Sequence, residues 1–270
     1  MNLRVMSPPV DARAALPEAA LALADNVVLR FGDVDAAGPI SFSVVNGEFI
    51  SLLGPSGCGK SSLLRAIAGL IPVAAGRLAI VGQAPGEAAA TRVGLMFQKP
   101  LLLPWRTTLQ NIVLPAEIAT RSSGVIGRSE GSQALELLRM VGLSEFADAY
   151  PHQLSGGMQQ RAALARTLMS DPDILLLDEP FGALDEFTRE ALNEQLLAIW
   201  QSGTTRLKAI IMVTHSIPEA VAMSDRILVL SGRPARLLNV VPVQLRHPRD
   251  PADAQFARIL GITRAAARPS

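Results

Sequence analysis

Short apolar runs, each bounded by Gly, Pro or a charged residue, recur along the chain and predict its strands. They lie at 48–54, 77–82, 92–98, 173–179, 209–215 and 226–232. Apolar residues in these runs are almost continuous and do not alternate with polar ones. A strand of this kind is buried on both faces, so the pattern predicts a mostly parallel sheet covered by helices, an α/β fold.

Between these runs, apolar residues recur at helical spacing. The segment 132–143 places Ala134, Leu137, Leu138 and Val141 on one face and ends near Gly142. Further helices are predicted over 61–70, 158–170 and 188–200. The stretch from about 98 to 165 contains helical patterns but no strand run, which indicates a helical subdomain inserted between strands.

The composition is that of a globular chain that lacks a strong charge bias. Of the 270 residues, 49% are hydrophobic and 18% are charged, and the net charge is +1. This balance gives no electrostatic footprint for nucleic acid. The single cysteine cannot form a disulfide within the chain, which favours a reducing compartment. No apolar run approaches the roughly 18–20 residues that span a bilayer, so the sequence predicts a chain without its own membrane anchor.

The segment GPSGCGKS fits the phosphate-binding pattern G-x-x-x-x-G-K-[ST], with a buried strand before it and a helix after it. In such a loop, successive backbone N–H groups point at phosphate oxygens. Lys60 can reach the β- and γ-phosphates, and the Ser61 hydroxyl can bind Mg²⁺. Cys58 is interpreted as a small filler rather than a catalytic thiol. The predicted phosphate-binding residues are Gly54, Pro55, Ser56, Gly57, Cys58, Gly59, Lys60, Ser61 and Ser62.

Two adjacent carboxylates end the run at 173–179. Neighbours on a strand point to opposite sides, so Asp178 and Glu179 cannot share one role. Asp178 suits the Mg²⁺ shell, and Glu179 suits orienting or deprotonating the water that attacks the γ-phosphate. His215 follows the next run, where a ligand contact and a structural histidine are both compatible with the residue alone. Gln98, at the end of another run, is equally ambiguous by itself.

A second glycine-rich stretch, LSGGMQQR at 154–161, also opens a predicted helix. A phosphate could bind to its serine and two glycines, Ser155, Gly156 and Gly157, but the stretch contains no lysine. The sequence therefore predicts two phosphate-binding segments. The second segment does not need its own lysine if another subunit supplies one.

The order of these motifs resembles the nucleotide-binding subunit of an ATP-binding cassette (ABC) transporter, from about Leu23 to about Arg249. The resemblance implies a P-loop ATPase domain over 21–245 with an antiparallel β subdomain and the helical subdomain at about 98–165. Residues 1–20 are then a disordered lead, and 246–270 a short C-terminal tail with one weak helix.

The resemblance also implies roles for single residues. Gln98 senses Mg²⁺ and the attacking water and faces the membrane partner, Glu179 is the catalytic carboxylate, and His215 contacts the γ-phosphate. Asp185 belongs to a loop that meets a sister subunit, and Phe31 lies under the adenine. The implied cofactors are ATP and Mg²⁺.

Several segments resemble the nitrate/sulfonate/taurine importer ATPases, notably LLLPWRTTLQNI, DEPFGALDEFTRE and HPRD. Trp105 is typical of that group and is also compatible with a simple packing role. The chain departs from the pattern in three places. Ser62 stands where Thr is usual, Ser216 stands where Asp is usual, and the segment 81–98 lacks the tighter Gly-Pro turn often seen there. None of these changes removes a catalytic group.

This resemblance implies a set of partners and a location. The partners are a second copy of the chain in an ATP-bridged dimer, transmembrane permease subunits gripped around Gln98 and 100–107, and indirectly a solute-binding protein, but no nucleic acid. The location is the cytoplasmic side of the inner membrane, held peripherally. The solute class is a small anion such as nitrate, sulfonate, taurine or bicarbonate, or a thiamine precursor.

Two other classes compete with this interpretation. A soluble ABC ATPase that acts on DNA carries a long coiled-coil insertion, and one that acts on ribosomes carries two cassettes, whereas this chain shows neither feature. A P-loop kinase or GTPase does not need the LSGG stretch, and the guanine-reading motif N-K-x-D is absent from the sequence.

Overall fold

The computed structural model describes residues 20–86, 92–120 and 128–268. Its strands are β1 Ala22–Phe31, β2 Val34–Val44, β3 Glu48–Leu53, β4 Ala75–Ile80, β5 Val93–Met96, β6 Ile174–Asp178, β7 Ala209–Thr214, β8 Arg226–Leu230 and β9 Leu237–Pro242. Its α-helices are α1 Lys60–Ile67, α2 Thr108–Thr120, α3 Arg128–Met140, α4 Gly156–Leu168, α5 Glu186–Ser202, α6 Ile217–Met223 and α7 Ala254–Ala266. Short 3₁₀ turns lie at Ser144–Phe146 and Pro151–Gln153.

The larger sheet has six strands in the order β5-β6-β7-β3-β8-β9. Its first five strands pair in parallel, and β9 runs antiparallel to β8. Every residue of β6 and β7 is buried, because α1, β1 and β2 pack on one face of the sheet and α4 and α5 pack on the other. This confirms the mostly parallel core predicted from the continuous apolar runs. The carboxyl ends of β3, β6 and β7 consequently meet at one edge of the sheet, where α/β folds bind ligands.

A smaller antiparallel sheet has the order β2-β1-β4. It contains the run predicted at 77–82, so the expectation that this run joins the parallel sheet was wrong: β4 pairs antiparallel with β1. The run looked like a parallel strand because Leu78, Ala79 and Ile80 are all buried. An apolar run indicates that a strand is buried, but it does not indicate which sheet the strand joins.

Helices α2, α3 and α4 lie between β5 and β6 in the chain. The four apolar residues predicted on one face of α3 and just beyond it are buried, from Ala134 to Val141. Gly142 follows with a φ of 67° and ends the helical path. Together with the parallel sheet, these helices enclose one continuous apolar cluster that includes Phe49, Leu138 and Leu177.

The C-terminal residues pack back onto the sheet. Helix α7 buries Phe256 and Thr263 and shares an apolar cluster with α6 and β8. The Arg249 guanidinium is almost fully buried, and its Nη1 donates to the carbonyls of Val221 and Ser224 at 2.7 Å, which caps the end of α6.

The predicted disordered lead at 1–20 lies outside the described residues except for Ala20. None of the helices within 20–86, 92–120 and 128–268 combines the length and the apolar character needed to cross a bilayer.

Candidate nucleotide site

The glycine-rich loop between β3 and α1 is folded around Lys60. Helix α1 begins at this lysine, and no side chain caps its N-terminus, so its first N–H groups are free to meet an anion. Lys60 Nζ donates to the carbonyls of Gly54 and Pro55, both at 2.8 Å. These two bonds hold a buried ammonium group within the loop.

Gly59 fixes this loop against the antiparallel sheet. Its φ is 119°, a conformation that favours glycine, and a Cβ there would lie 2.6 Å from the carbonyl oxygen of Ala36 on β2. No other residue fits this position without moving the backbone. Cys58, one residue earlier, is buried in the core beneath the loop.

Asp178, the last residue of β6, faces the loop. Its Oδ1 accepts a hydrogen bond from Ser61 Oγ at 2.6 Å, and its Oδ2 lies 3.9 Å from Nη2 of Arg65. A hydroxyl beside a carboxylate is the hard-oxygen donor set that Mg²⁺ accepts, with phosphate and water oxygens completing the shell. Among the described residues, no group of three or more His, Cys, Asp or Glu side chains forms a closed metal cage. The Ser61–Asp178 pair therefore fits Mg²⁺ bound together with a phosphate.

Glu179 follows Asp178 directly, just beyond the end of β6. Its Oε2 lies 3.3 Å from Nδ1 of His215, which follows β7. The φ of Glu179 is 46°, in the left-handed region, and such strain is concentrated at functional sites. A cavity of about 10 Å³, enough for roughly one water molecule, adjoins this pair. Its lining residues are Glu179, Gly182, Arg189, Thr214, His215, Ser216 and Glu219.

A larger cavity of about 230 Å³ opens above the glycine-rich loop. It is lined by Phe31, Ala36, Gly57, Gly59, Lys60, Ser61, Ser62, Glu179 and Arg233. The structure thus brings the predicted adenine platform, the phosphate loop and the predicted catalytic carboxylate to one opening. Phe31 is 49% exposed, so its ring is accessible to a planar base.

Other predicted residues lie outside both cavities. Ser155 caps α4, and its Oγ accepts a hydrogen bond from the Met158 N–H at 3.3 Å. Gly156 is exposed, whereas Gly157 is buried, and a Cβ on Gly157 would lie 2.8 Å from Thr188 Cγ2. Packing against α5 is therefore enough to require glycine at 157.

Asp185 caps α5 beside this stretch. Its side chain accepts a hydrogen bond from the Thr188 N–H at 3.0 Å, and bonding to Thr188 holds the pKa of Asp185 below its usual value. The LSGG stretch and the Asp185 loop thus form one exposed surface. Neither the LSGG stretch nor Asp185 lines the cavity of about 10 Å³ or the cavity of about 230 Å³.

Gln98 is exposed beyond the end of β5. Its backbone carbonyl accepts a hydrogen bond from Nε2 of Gln160 on α4 at 2.9 Å. The segment after β5 is therefore attached to the helix that begins at the LSGG stretch.

Sequence reasoning missed four polar residues that line the cavities, namely Arg189, Thr214, Glu219 and Arg233, and it also missed Arg65, which lies beside Asp178. The Glu219 carboxylate bonds to the Thr214 hydroxyl and to Asn193 Nδ2 on α5, which links that helix to the strand end before His215. Arg65 lies one helical turn after Ser61, a spacing that could have indicated it. For Arg233, the only signal was its place in a turn directly after a buried strand.

Comparison with known proteins now adds to this geometry. A family model described as ABC transporter matches residues 37–182. The chain belongs to the ABC transporter family. Its fold is accordingly the ABC ATPase cassette, and its chemistry is that of an ATP-binding ATPase.

Curated relatives and a solved structure agree with this assignment. The taurine import ATP-binding protein TauB of Rhizobium johnstonii is 47% identical over 77% of each chain. The aliphatic sulfonates import ATP-binding protein SsuB of Bacillus cereus is 40% identical over 84% of this chain and 86% of the relative. The dimeric ATP-binding cassette MJ0796, in a post-hydrolysis state bound to ADP and Pi, is 30% identical with a TM-score of 0.68, covering 83% of this chain and 100% of that one.

Proposed function

We propose that this ABC cassette is the ATP-hydrolysing subunit that energises import of a small solute through a partner permease. The proposed solute is a small anion such as taurine, another sulfonate, nitrate or bicarbonate, or else a thiamine precursor. The relatives' names favour taurine and other sulfonates. In this proposal, the cassette is held peripherally at the cytoplasmic face of the inner membrane by its permease.

In the proposed binding step, the free N–H groups at the start of α1 and the Lys60 ammonium take the phosphates. Lys60 exchanges its two carbonyl partners for phosphate oxygens, which attract the cation more strongly because they are charged. Phe31 stacks on the base. Ser61 and Asp178 would hold Mg²⁺, which when bound neutralises charge that develops on the phosphates.

In the proposed chemical step, the Glu179 carboxylate orients the attacking water and accepts its proton. His215 lies 3.3 Å from this carboxylate and its side chain is half exposed, so in this proposal its ring contacts the γ-phosphate while it steadies Glu179. In this proposal, a change at the site reaches the helical subdomain through Gln98, because its carbonyl is hydrogen-bonded to α4.

The observation that carries the transport part of the proposal is the exposed segment 100–107. Trp105 is 70% exposed and Leu101 is 56% exposed, an unusual placement for large apolar side chains in an ordered loop. The buried Asn111 side chain fixes the loop by accepting from the Leu103 N–H and donating to the carbonyls of Leu103, Arg106 and Thr107.

The same segment is attached to the LSGG helix. Arg166 on α4 donates from Nη1 to the Leu101 carbonyl at 2.7 Å and from Nη2 to the Pro100 carbonyl at 2.6 Å. Burial lowers the pKa of Arg166, but a guanidinium stays charged at any physiological pH. A rigid apolar loop of this kind suits a short helix of a membrane protein, and movement of that helix would reach α4 through Arg166.

The proposal is tested by co-purification of the chain with the permease encoded beside its gene. We expect Trp105→Glu to reduce the recovered permease by about tenfold or more, because an exposed aromatic anchor is replaced by a charge. ATP binding should be unchanged, since Trp105 lines neither cavity. Trp105 is a cleaner probe than Leu102, which packs against the apolar cluster and so also supports folding.

Leu238→Glu is the matched control. Leu238 is an exposed apolar residue on β9, the strand at the opposite edge of the sheet from β5. It should leave permease recovery at the parental level. Equal recovery of the permease by Trp105→Glu and by the parental chain would reject this surface. Recovery of ribosomes or DNA instead of a permease would favour the soluble ABC ATPase.

A further inference from the structure

We propose that Arg233 is a nucleotide-binding residue that contacts the phosphates of ATP from the side of the cavity formed by the β8–β9 turn. The inference deepens and rests on the proposed function, because it assumes that ATP occupies the 230 Å³ cavity. It adds a second cation, from a separate part of the chain, to the one that the glycine-rich loop provides.

The first observation is the position of the side chain. Arg233 lines the same cavity as Phe31, Lys60 and Ser61. Within residues 20–86, 92–120 and 128–268, its guanidinium has no hydrogen-bond or ion-pair partner of its own. By contrast, Arg30, the residue before Phe31 on β1, is engaged by Asp35 at 2.7 Å. Arg233 is therefore the cation at this opening that is free to take an anionic ligand.

The second observation is that the turn is built to hold its shape. Ser231 Oγ donates to the Pro234 carbonyl at 3.0 Å and accepts from the Arg236 N–H at 2.8 Å. The Ser231 N–H donates to the Arg236 carbonyl at 2.9 Å. These bonds close the turn on both sides of Arg233, so the arginine projects from a defined base rather than from a loose loop.

The third observation is that the turn is joined to the phosphate loop through β2. The buried Ala235 donates its N–H to the Ala36 carbonyl at 3.2 Å, and its carbonyl accepts from the Gly38 N–H at 2.7 Å. The Ala36 carbonyl is also the atom against which Gly59 is packed. One stretch of β2 thus positions both the phosphate loop and the turn, which keeps Arg233 at a fixed side of the cavity.

The charges favour a phosphate as the ligand. Glu179 is the carboxylate in the cavity lining, and its Oε2 is already paired with His215 Nδ1 at 3.3 Å. A guanidinium bonds phosphate oxygens through two parallel N–H donors and keeps its charge, which makes it well suited to a triphosphate. Because Arg233 is exposed, its contact should be weaker than that of a buried pair and sensitive to salt.

The test compares nucleotide affinities of Arg233→Ala, Arg233→Lys and the parental chain by isothermal titration calorimetry. We expect Arg233→Ala to raise the Kd for ATP about tenfold at low salt and to have little effect on adenosine. Arg233→Lys should recover most of the affinity, and the loss should shrink at high salt. Arg236→Ala is the matched control, because Arg236 is exposed in the same turn, lines neither cavity and bonds through its backbone only.

The outcomes separate this inference from the proposed function. Lys60→Ala must lose ATP affinity if the cavity is the nucleotide site at all, and failure of that control would count against the site itself. If Lys60→Ala loses affinity while Arg233→Ala binds ATP as tightly as the parental chain, the role of Arg233 is rejected and the site stands. If Arg233→Ala weakens adenosine as much as ATP, the contact is to the nucleoside and the phosphate assignment is wrong.

Discussion

The two carboxylates at the end of β6 show how a single residue step divides the chemistry at this site. Asp178 faces Ser61 at 2.6 Å, and Glu179 faces His215 at 3.3 Å. Asp178 ends β6, and Glu179 has a φ of 46° just beyond the strand, so the two neighbouring carboxylates have different partners and do not compete. We expect Asp178 to matter for Mg²⁺ and Glu179 for the transfer of a proton.

This division makes a prediction for Glu179→Gln. The amide keeps the size of the side chain and one acceptor oxygen but cannot accept the proton of the attacking water. ATP binding should therefore stay near the parental affinity, while turnover falls about a hundredfold or more, which corresponds to roughly 2.7 kcal/mol of barrier. Steady-state ATPase assays and equilibrium nucleotide binding measure the two effects separately.

Glu190→Gln provides the control, since Glu190 is an exposed carboxylate on α5 that lines neither cavity. It should hydrolyse ATP at the parental rate. Hydrolysis at that rate by Glu179→Gln would show that another group takes the proton.

At the scale of elements, a buried carboxylate connects the amino ends of three neighbouring strands through two ion pairs. The Asp173 carboxylate before β6 bonds Nε of Arg92 before β5, and its Oδ1 lies 2.9 Å from Nζ of Lys208 before β7. Burial opposes ionisation of Asp173, but the two cations outweigh it, and the pKa of Asp173 lies below its usual value. This connection is at the edge of the sheet opposite to the candidate site.

We predict that Asp173→Asn lowers the free energy of unfolding by about 2 kcal/mol at neutral pH, because Arg92 and Lys208 lose their charged partner. The loss is not larger because both cations are partly exposed and so lose only part of their stabilisation. A carboxylate with a lowered folded pKa stabilises the fold above its unfolded pKa of about 3.9. The difference from the parental chain should therefore be complete near pH 7 and disappear as the pH falls through the folded pKa. Urea unfolding at a series of pH values measures it.

The same substitution two residues earlier gives the control. Asp171 lies 3.6 Å from Arg206 in an exposed pair, and Asp171→Asn should change stability by no more than about 0.5 kcal/mol. A difference for Asp173→Asn that stayed constant down to low pH would argue that packing, rather than charge, is responsible.

The sequence predicted some elements well for a physical reason that also explains the failures. Continuous apolar runs found β3, β6, β7 and β8, because these strands are buried on both faces. Strand β2 was not found as a run, because its buried residues Ile40, Phe42 and Val44 alternate with half-buried serines. The run containing β4 was assigned to the wrong sheet, since strand pairing depends on contacts far away in the chain.

A similar limit applies to the candidate site. Phosphate-loop spacing indicated Lys60 and Ser61, because local sequence alone builds a loop between a strand and a helix. The approach of Arg233 to that loop depends on the pairing of Ala235 with β2, almost two hundred residues earlier in the chain, which no local pattern reports. Gly157 was interpreted through phosphate binding alone, whereas its contact with Thr188 also requires glycine.

At the scale of the whole molecule, the LSGG stretch lines neither cavity of the candidate nucleotide site of its own chain. Ser155 and Gly156 are exposed, the Ser155 Oγ uses only its acceptor in capping α4, and its hydroxyl proton can still be donated. The stretch therefore has donors for a phosphate but no lysine. A second copy related by a two-fold axis would bring Lys60 of one chain to Ser155 of the other, twice, by symmetry. The solved cassette with a similar fold is itself dimeric.

This arrangement predicts the behaviour of a mixed dimer made from Lys60→Ala chains and Ser155→Arg chains. If each site joins two chains, both defects fall in one site and the other site is normal, so the mixed dimer should occlude one ATP. If each site lies within one chain, both sites are damaged and none is occluded. Each variant alone should occlude none under the first arrangement, because every site then carries one defect.

Occlusion of radiolabelled ATP in the isolated mixed dimer is the measurement, since turnover can require two working sites. Ser155→Arg also removes a helix cap worth about 1 kcal/mol, so the melting temperature of that chain must be compared with the parental value. Ser144→Arg serves as the matched control, being an exposed serine changed in the same way in the same subdomain. Its dimer should occlude two ATP molecules, as the parental dimer does. A mixed dimer that occludes no ATP, while the Ser144→Arg control occludes two, would exclude the shared sites and leave the LSGG stretch without a phosphate to bind.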